Sequence, residues 1–296
     1  MKKLLLSFFV LLASFLLIGV FTARQTLQSV PLPPSEKRAE AVSLKKKESF
    51  TILLLGTDER EGDRGRTDTI VLASVSEKSI QLLSIPRDTR TAIPGHSGQT
   101  KINHAYSYGG TALTVKTVEE FLNVPVDYFI KVNMQGFTEL IDQIGGVTIY
   151  NEFAFESDGK AFPKGSVVLH GDDALKYVRM RYEDPNGDFG RQKRQQAVMR
   201  ALLDKAVELE HFDDILSAVR NHVQTNLMAS SLIYLQKNYK EARADIKVLS
   251  IEGTGKNIDG TYFYSISKEE QQRLSALFHQ HLGMTDETPL KKGNLH

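Results

Sequence analysis

Hydrophobic and polar positions change their rhythm several times along the chain. Residues 4–21 form an apolar run broken only by Ser7, Ser14 and Gly19, with Lys2 and Lys3 just ahead of it. As a helix this run rises roughly 27 Å, close to the hydrocarbon thickness of a bilayer. The lysines before it favour an N-terminus inside and the remainder outside. A cleaved signal peptide is the alternative. The run is long for one, and its end, Val20-Phe21-Thr22-Ala23-Arg24, lacks a small residue at the first position of a cleavage site. A signal anchor over residues 1–22 is therefore expected. Residues 23–48 carry Pro31, Pro33 and Pro34 and then lysines and glutamates, the composition of a stalk.

From residue 49 the pattern becomes that of a folded domain. Residues 50–55 are continuously apolar and end at Gly56, which predicts a fully buried strand. Residues 69–75 and 79–85 are β-rich runs separated by Glu77-Lys78, a hairpin. Apolar residues at 115, 118, 121 and 122 predict a helix over 111–122, followed by a strand over 126–132. Phe137, Leu140, Ile141 and Ile144 keep helical spacing up to the stop at Gly145-Gly146, and a short strand follows at 147–150. An amphipathic helix is expected over 189–208, with helical segments near 212–222 and 230–240 and strands at 246–251 and 262–266. Ser267 with Glu270 three residues on reads as a capping box opening a last helix. A polar tail occupies 284–296. This alternation predicts an α/β sandwich with a mixed sheet.

Composition narrows the chemistry. The 296 residues hold 37 basic and 36 acidic side chains, so no overall field would recruit nucleic acid. The chain has no cysteine, which excludes disulfides and thiolate chemistry. With 41% hydrophobic residues, a sizeable core is expected.

Charged residues concentrate in a few places. The stretch DALKYVRMRYEDPNGDFGRQKRQQ, residues 173–196, contains Arg179, Arg181, Arg191 and Arg194. Arg179 and Arg181 leave the same face of an extended backbone, and Arg191, Arg194 and Gln195 share one face of a helix. A hairpin through Asp184-Pro185-Asn186-Gly187 would bring both sets together, and such guanidinium groups suit a phosphate or carboxylate. The same residues read equally well as a solvated basic face paired with Glu183, Asp184 and Asp188. The loop GTDEREGDRGRTD, residues 56–68, follows the first strand and carries Asp58, Glu59, Glu61, Asp63 and Asp68 among Arg60, Arg64 and Arg66. Pro86-Arg87-Asp88 ends another strand. Open α/β sheets place their sites beyond strand ends, and such carboxylates suit Mg²⁺ or Mn²⁺. An exposed turn with compensating charges is the other reading. Gly253-Thr254-Gly255-Lys256 lacks phosphate-loop spacing, and His104 reads as a structural hydrogen-bonder.

Together with the apolar N-terminus, the stretches LLLGTDER, GRTDTIVL, LLSIPRDT, KINHAYSYGG, GGV and the arginine-rich segment resemble the LytR–CpsA–Psr family of cell-wall glycopolymer ligases. The resemblance runs from about residue 50 to about residue 205. It implies a three-layer α/β/α sandwich with a central mixed sheet, preceded by one transmembrane helix. The catalytic domain, 49–283, would lie outside the cell, with an apolar pocket for a polyprenyl tail. The implied activity is transfer of an anionic glycopolymer, such as wall teichoic acid, from undecaprenyl pyrophosphate to the C6 hydroxyl of N-acetylmuramic acid in peptidoglycan. Asp58 and Asp68 fall where the family holds Mg²⁺. Arg66, Arg87, Arg179, Arg181 and Arg191 match its pyrophosphate-binding arginines, and Gln195 a polar residue of the same site. Lys101 and Asn103 lie in a family motif. Arg194 has no clear counterpart and is expected to be structural. Arg87 and Arg179 are the expected catalytic cations, and Asp88 or a metal-site aspartate the candidate base. A metal-dependent polyprenyl-pyrophosphate pyrophosphatase would use the same residues. A transcriptional regulator or wall-binding adaptor fits less well, because only Met1 to Lys3 would face the cytoplasm.

Overall fold

A computed structural model of the chain describes residues 28–59, 62, 64–180, 184–185, 188–205, 221–239 and 241–284. The expected membrane run at 4–21 and the polar tail beyond 284 lie outside them. Among the described residues no helix is long and apolar enough to cross a membrane.

Along the chain the elements are β1 Gln28–Ser29, β2 Phe50–Thr57, β3 Thr67–Val75, β4 Ile80–Ser84, β5 Arg90–Ala92 and β6 Gln99–Lys101, then α1 His104–Leu122. Next come β7 Tyr128–Asn133, α2 Met134–Gln143, β8 Val147–Asn151, β9 Phe155–Ser157, β10 Lys160–Phe162 and β11 Gly165–Leu169. They lead into α3 Gly171–Arg179 and α4 Asp188–Lys205. The remainder is β12 Val223–Thr225, α5 Ala229–Asn238, β13 Ile246–Leu249, β14 Thr254–Ile258, β15 Thr261–Ser265 and α6 Lys268–Leu282.

The chain forms two compact units, the first of residues 1–32, 55–63 and 128–240, the second of 33–54, 64–127 and 241–296. In the first, the hydrogen-bonded strand order is β1-β12-β7-β2. β1 runs parallel to β12, and β12 antiparallel to β7 with Thr225 opposite Ile130. Its core gathers Ile141, Ile149, Phe155, Phe162, Leu169 and Tyr177 from α2, α3 and the short strands β8–β11. In the second unit the order is β2-β3-β4-β13. β3 and β4 are antiparallel with Leu72 opposite Leu83, and β13 is parallel to β4. α6 packs on β3 and on α1, burying Leu72, Val118, Leu274 and Phe278. The expected α/β class with a mixed sheet holds, as does the hairpin read at 69–85.

Several expectations need correction. Residues 50–55 are not buried on both faces, since Ile52 and Leu54 are half-buried between closed neighbours. α1 begins seven residues before the expected 111, at His104, and is broken by Gly109 and Gly110, the latter at φ 65°. That backbone conformation suits glycine alone. Arg179 is not extended, because Ala174, Tyr177 and Val178 bury one face of α3, while Asp172 and Asp173 start it and Lys176 and Arg179 end it in accord with the helix dipole. α3 therefore ends at Arg179 and α4 opens at Asp188, and of the turn read between them only residues 184–185 are described. Of the helix expected at 212–222, residues 221–222 form a turn and the rest lie outside the described residues. Ser267 caps α6 by accepting from the Glu270 N–H, but the Glu270 carboxylate accepts from the Glu252 N–H and from Arg273 instead of closing a capping box. The pattern reading also passes over the antiparallel pairs β9–β10 and β14–β15, although Asp158-Gly159 and Asp259-Gly260 signal both turns. All four of these turn residues have positive φ, the conformation of a tight two-residue hairpin.

The stretch expected as a stalk is tied down within the fold: β1 pairs with β12, and the Val30 N–H donates to the Thr225 carbonyl at 3.1 Å. Lys37 donates to Asn123 at 2.9 Å, and Arg38 grips Asp127 with two nitrogens at 2.8 and 3.0 Å.

Candidate functional site

In the second unit, three chain segments converge on a line of alternating charges. β3 opens with Thr67-Asp68, the turn after β4 carries Arg87-Asp88, and β6 ends at Lys101. The turn is closed by the Thr89 N–H donating to the Pro86 carbonyl at 3.0 Å. β5 and β6 form a short ladder, and the Ile102 N–H donates to the Thr89 carbonyl at 2.8 Å. These backbone bonds set the side chains. Arg87 Nη1 donates to Asp68 Oδ1 at 2.5 Å, Arg87 Nε stands 3.9 Å from Asp88 Oδ2, and Lys101 Nζ donates to Asp88 Oδ1 at 2.5 Å. Asp88 is buried, whereas Arg87, Asp68 and Lys101 keep about a fifth to a quarter of their side-chain surface in solvent.

Three buried polar atoms accompany this row. Thr67 Oγ1, Thr89 Oγ1 and Asn103 Oδ1 find no hydrogen-bond partner among the described residues. A folded protein leaves few such atoms unsatisfied, because each costs on the order of 1–3 kcal/mol. Thr67 adjoins Asp68 and Thr89 adjoins Asp88 in the chain, and Asn103 lies two residues past Lys101, which makes the row a candidate place for a polar ligand. Arg66 is exposed just before Thr67. His104 is pushed below its ordinary pKa by burial first and then by the positive charges of Arg66 and Lys101, with Asp88 opposing. It also bonds Thr100 at 2.9 Å, in keeping with a structural role.

The first unit holds the arginine-rich segment. Arg194 is sealed from solvent. Its Nε donates to the Tyr177 carbonyl at 3.1 Å, Nη2 to the Met180 carbonyl and Nη1 to the Asp184 carboxylate. The rings of Phe155 and Tyr177 lie 5.4 and 6.0 Å from its guanidinium carbon. Arg194 thus fixes the backbone on both sides of Arg179, which stands exposed at the end of α3. The expected surface pair with Asp184 is instead a buried one. Gly190 makes the pair possible, since a Cβ there would run into the Asp184 carboxylate. Arg191 is buried on the same helix and Gln195 half-buried. Arg181 and Glu183 lie outside the described residues.

After β2, Asp58 is half-buried. Glu59 is taken by Lys131, a buried lysine of β7, at 2.5 Å, which removes it from the pool of carboxylates in that loop. Arg60, Glu61 and Asp63 lie outside the described residues.

Sequence reasoning missed Lys131, Arg38 and the aromatic Phe263 of β15. Arg90 and Lys101 both stand 5.9 Å from the Phe263 ring centroid. Only the strand register could have paired that ring with those cations.

The sequence pattern of the LytR_cpsA_psr family matches residues 20–279. The chain is similar to the polyisoprenyl-teichoic acid–peptidoglycan teichoic acid transferase TagU of Bacillus subtilis, at 46% identity over 249 residues, covering 82% of this chain and 81% of TagU. Its fold is similar to a crystal structure described as a transcriptional regulator from Enterococcus faecalis, with a TM-score of 0.77, 31% identity and coverage of 83% and 92% of the two chains. It is also similar to TagT bound to LI-WTA, with a TM-score of 0.74, 31% identity and coverage of 87% and 100%.

Proposed function

The chain belongs to the LytR_cpsA_psr family, and from that membership we propose that it transfers an anionic glycopolymer, wall teichoic acid or a close analogue, to peptidoglycan. The donor is the polymer on undecaprenyl pyrophosphate and the acceptor the C6 hydroxyl of N-acetylmuramic acid. The names of the TagU and TagT relatives support this substrate class. The Asp68–Arg87–Asp88–Lys101 row with its orphaned buried polar atoms is the observation that carries the reading.

In the reaction the acceptor oxygen attacks the phosphorus that bears the sugar. The bond from that phosphorus to the bridging oxygen breaks, and the electron pair leaves on undecaprenyl phosphate. The hydroxyl proton passes to a carboxylate, for which Asp88 and the aspartates at 58 and 68 are the candidates. The family resemblance assigns pyrophosphate binding to Arg66, Arg87, Lys101 and Asn103 of the second unit and to Arg179, Arg181, Arg191 and Gln195 of the first. Their fixed donors offset charge that grows on the leaving phosphate, with Arg87 and Arg179 the principal cations. Asp88 holds Arg87 and Lys101 apart from each other's charge and so orients both.

A divalent cation fits the donor set. Asp68 spends one oxygen on Arg87, while a carboxylate offers about four acceptor directions, so capacity for a cation remains. The family resemblance assigns Asp58 as the other carboxylate for the cation, and Mg²⁺ typically takes one or two carboxylates together with substrate phosphates. Bound Mg²⁺, or Mn²⁺, would supply charge neutralisation at the pyrophosphate. The apolar run at residues 4–21 would anchor the chain with its N-terminus in the cytoplasm and the catalytic domain outside.

The test is a reconstituted assay with a lipid-pyrophosphate donor and a peptidoglycan acceptor, with and without Mg²⁺. Product on the glycan, lost in Arg87→Ala and on chelation, is expected. Steady release of lipid phosphate to water with no glycan product would replace the transferase by a pyrophosphatase.

A further inference from the structure

The row of charges in the second unit does not end at Lys101. In the β5–β6 ladder Arg90 stands directly opposite Lys101, so two cations share one face of a two-stranded ribbon. Like charges placed this way oppose folding. Both are drawn to the ring of Phe263 at 5.9 Å, where the negative face of the π system offsets part of the repulsion. Phe263 is itself paired across the β14–β15 hairpin with Lys256, whose Cβ therefore lies on the same face of that hairpin. Arg90 and Lys256 are both exposed, and neither forms an ion pair among the described residues. Of these three cations Asp88 pairs with Lys101, while its other oxygen faces Arg87. Two positive side chains thus stand over one aromatic ring, a third lies on the same hairpin face as that ring, and of the three only Lys101 meets a carboxylate among the described residues, an arrangement that an added anion would relieve.

We propose that Arg90, Lys101 and Lys256 around Phe263 form a second anion subsite, which takes a phosphodiester of the polymer beyond the reacting pyrophosphate. The proposal rests on the transferase reading above. Lys101 links the two places, since its ammonium touches Asp88 of the pyrophosphate row and faces Phe263. A polymer whose repeat carries phosphate would then be held at two points. A donor carrying only the sugar linkage unit would be held at one. Length discrimination follows from charge placement alone, with no pocket shaped for the repeat unit.

The experiment uses the full chain in detergent, two lipid-pyrophosphate donors and the variants Arg90→Gln and Lys256→Gln. One donor bears the linkage unit only, the other several glycerol-phosphate repeats. Each variant should raise KM for the polymer donor by about two- to fivefold with kcat held, as expected for an exposed charge contact, and leave the short donor unchanged. Binding of soluble poly(glycerol phosphate) should weaken by the same factor, and the thermal midpoint should stay at the wild-type value. An unchanged KM for the polymer donor in both variants, or an equal rise for both donors, overturns the subsite while wild-type transfer keeps the main reading. Wild-type protein that binds the soluble polymer through Arg90 and Lys256 but transfers neither donor overturns the transferase reading and keeps the subsite. Variants that lose affinity for phosphatidylglycerol vesicles and not for the polymer would assign the cations to a lipid surface and overturn the proposal.

Discussion

The guanidinium of Arg194 and the carboxylate of Asp184 are bound to each other inside the first unit, with 6% and 1% of their side-chain surfaces in solvent. Removing one partner of such a pair strands the other charge where water cannot reach it. Arg194→Met should therefore destabilise the protein by about 3–5 kcal/mol, while Arg194→Met with Asp184→Leu should recover much of that loss. Chemical denaturation of the three proteins is the check. A single variant as stable as wild type would mean that the pair is not buried in solution.

Gly190→Ala should act through the same pair. The added methyl meets the Asp184 carboxylate, so either α4 shifts or the ion pair opens. A loss of about 1–3 kcal/mol is expected, although alanine is the better helix former. A stabilised variant would show that the turn yields freely.

Arg87 and Asp68 contrast with that pair. Their side chains are 22% and 26% exposed, so the interaction adds about 1 kcal/mol or less to stability. Arg87→Ala should leave the unfolding midpoint nearly unchanged and lower transfer by about a hundredfold or more. Calorimetry and the transfer assay on one preparation separate the two effects.

His281 makes stability depend on pH. Its Nδ1 lies 2.6 Å from Ser74 Oγ and its Nε2 2.8 Å from Ser79 Oγ. Burial first, then Lys247, lowers its pKa below 6.5, with Asp245 opposing. Below pH 6.5 the unfolded chain takes up the proton before the folded one, so stability falls as pH drops through the folded pKa. His104 contributes in the same direction. His281→Gln should flatten the decline in unfolding free energy as pH falls below about 6.5, read by denaturation at a series of pH values.

Asp127 holds the segment that enters the second unit. It accepts from Arg38 and also from the Thr51 N–H at 2.9 Å. Asp127→Ala should cost about 1–3 kcal/mol and expose residues 33–48 to protease, read by limited proteolysis with mass spectrometry.

Residue pattern and resemblance together made much of the site legible. The hairpin at 69–85 and the strand-end positions of Asp68 and Arg87 follow from alternation and from where apolar runs stop. The 3.6-residue period placed Arg191, Arg194 and Gln195 on one helix, and the family motif set Arg194 apart from the phosphate ligands. The helix at 171–179 departs from the extended reading because the buried i, i+3, i+4 set Ala174, Tyr177 and Val178 outweighs the two-residue spacing of Arg179 and Arg181. The hairpins at Asp158-Gly159 and Asp259-Gly260 were signalled and passed over. Lys131 with Glu59, and Arg90 with Phe263, had no sequence signal, because their partners are about 70 and 170 positions apart and meet only through strand pairing.

What the sequence determined by itself is therefore the local part: the α/β class, the strand ends that carry charge, the absence of thiol chemistry, and the motifs that place the chain in its family. What the tertiary structure alone decided is the fate of each charge. Arg194 and Arg87 are the same side chain in the same kind of motif. One is turned inward onto Asp184 and two carbonyls, and the other keeps part of its surface in water beside Asp68. The cost of burying a guanidinium is met only where a carboxylate and backbone acceptors converge, and that convergence is fixed by packing between distant segments.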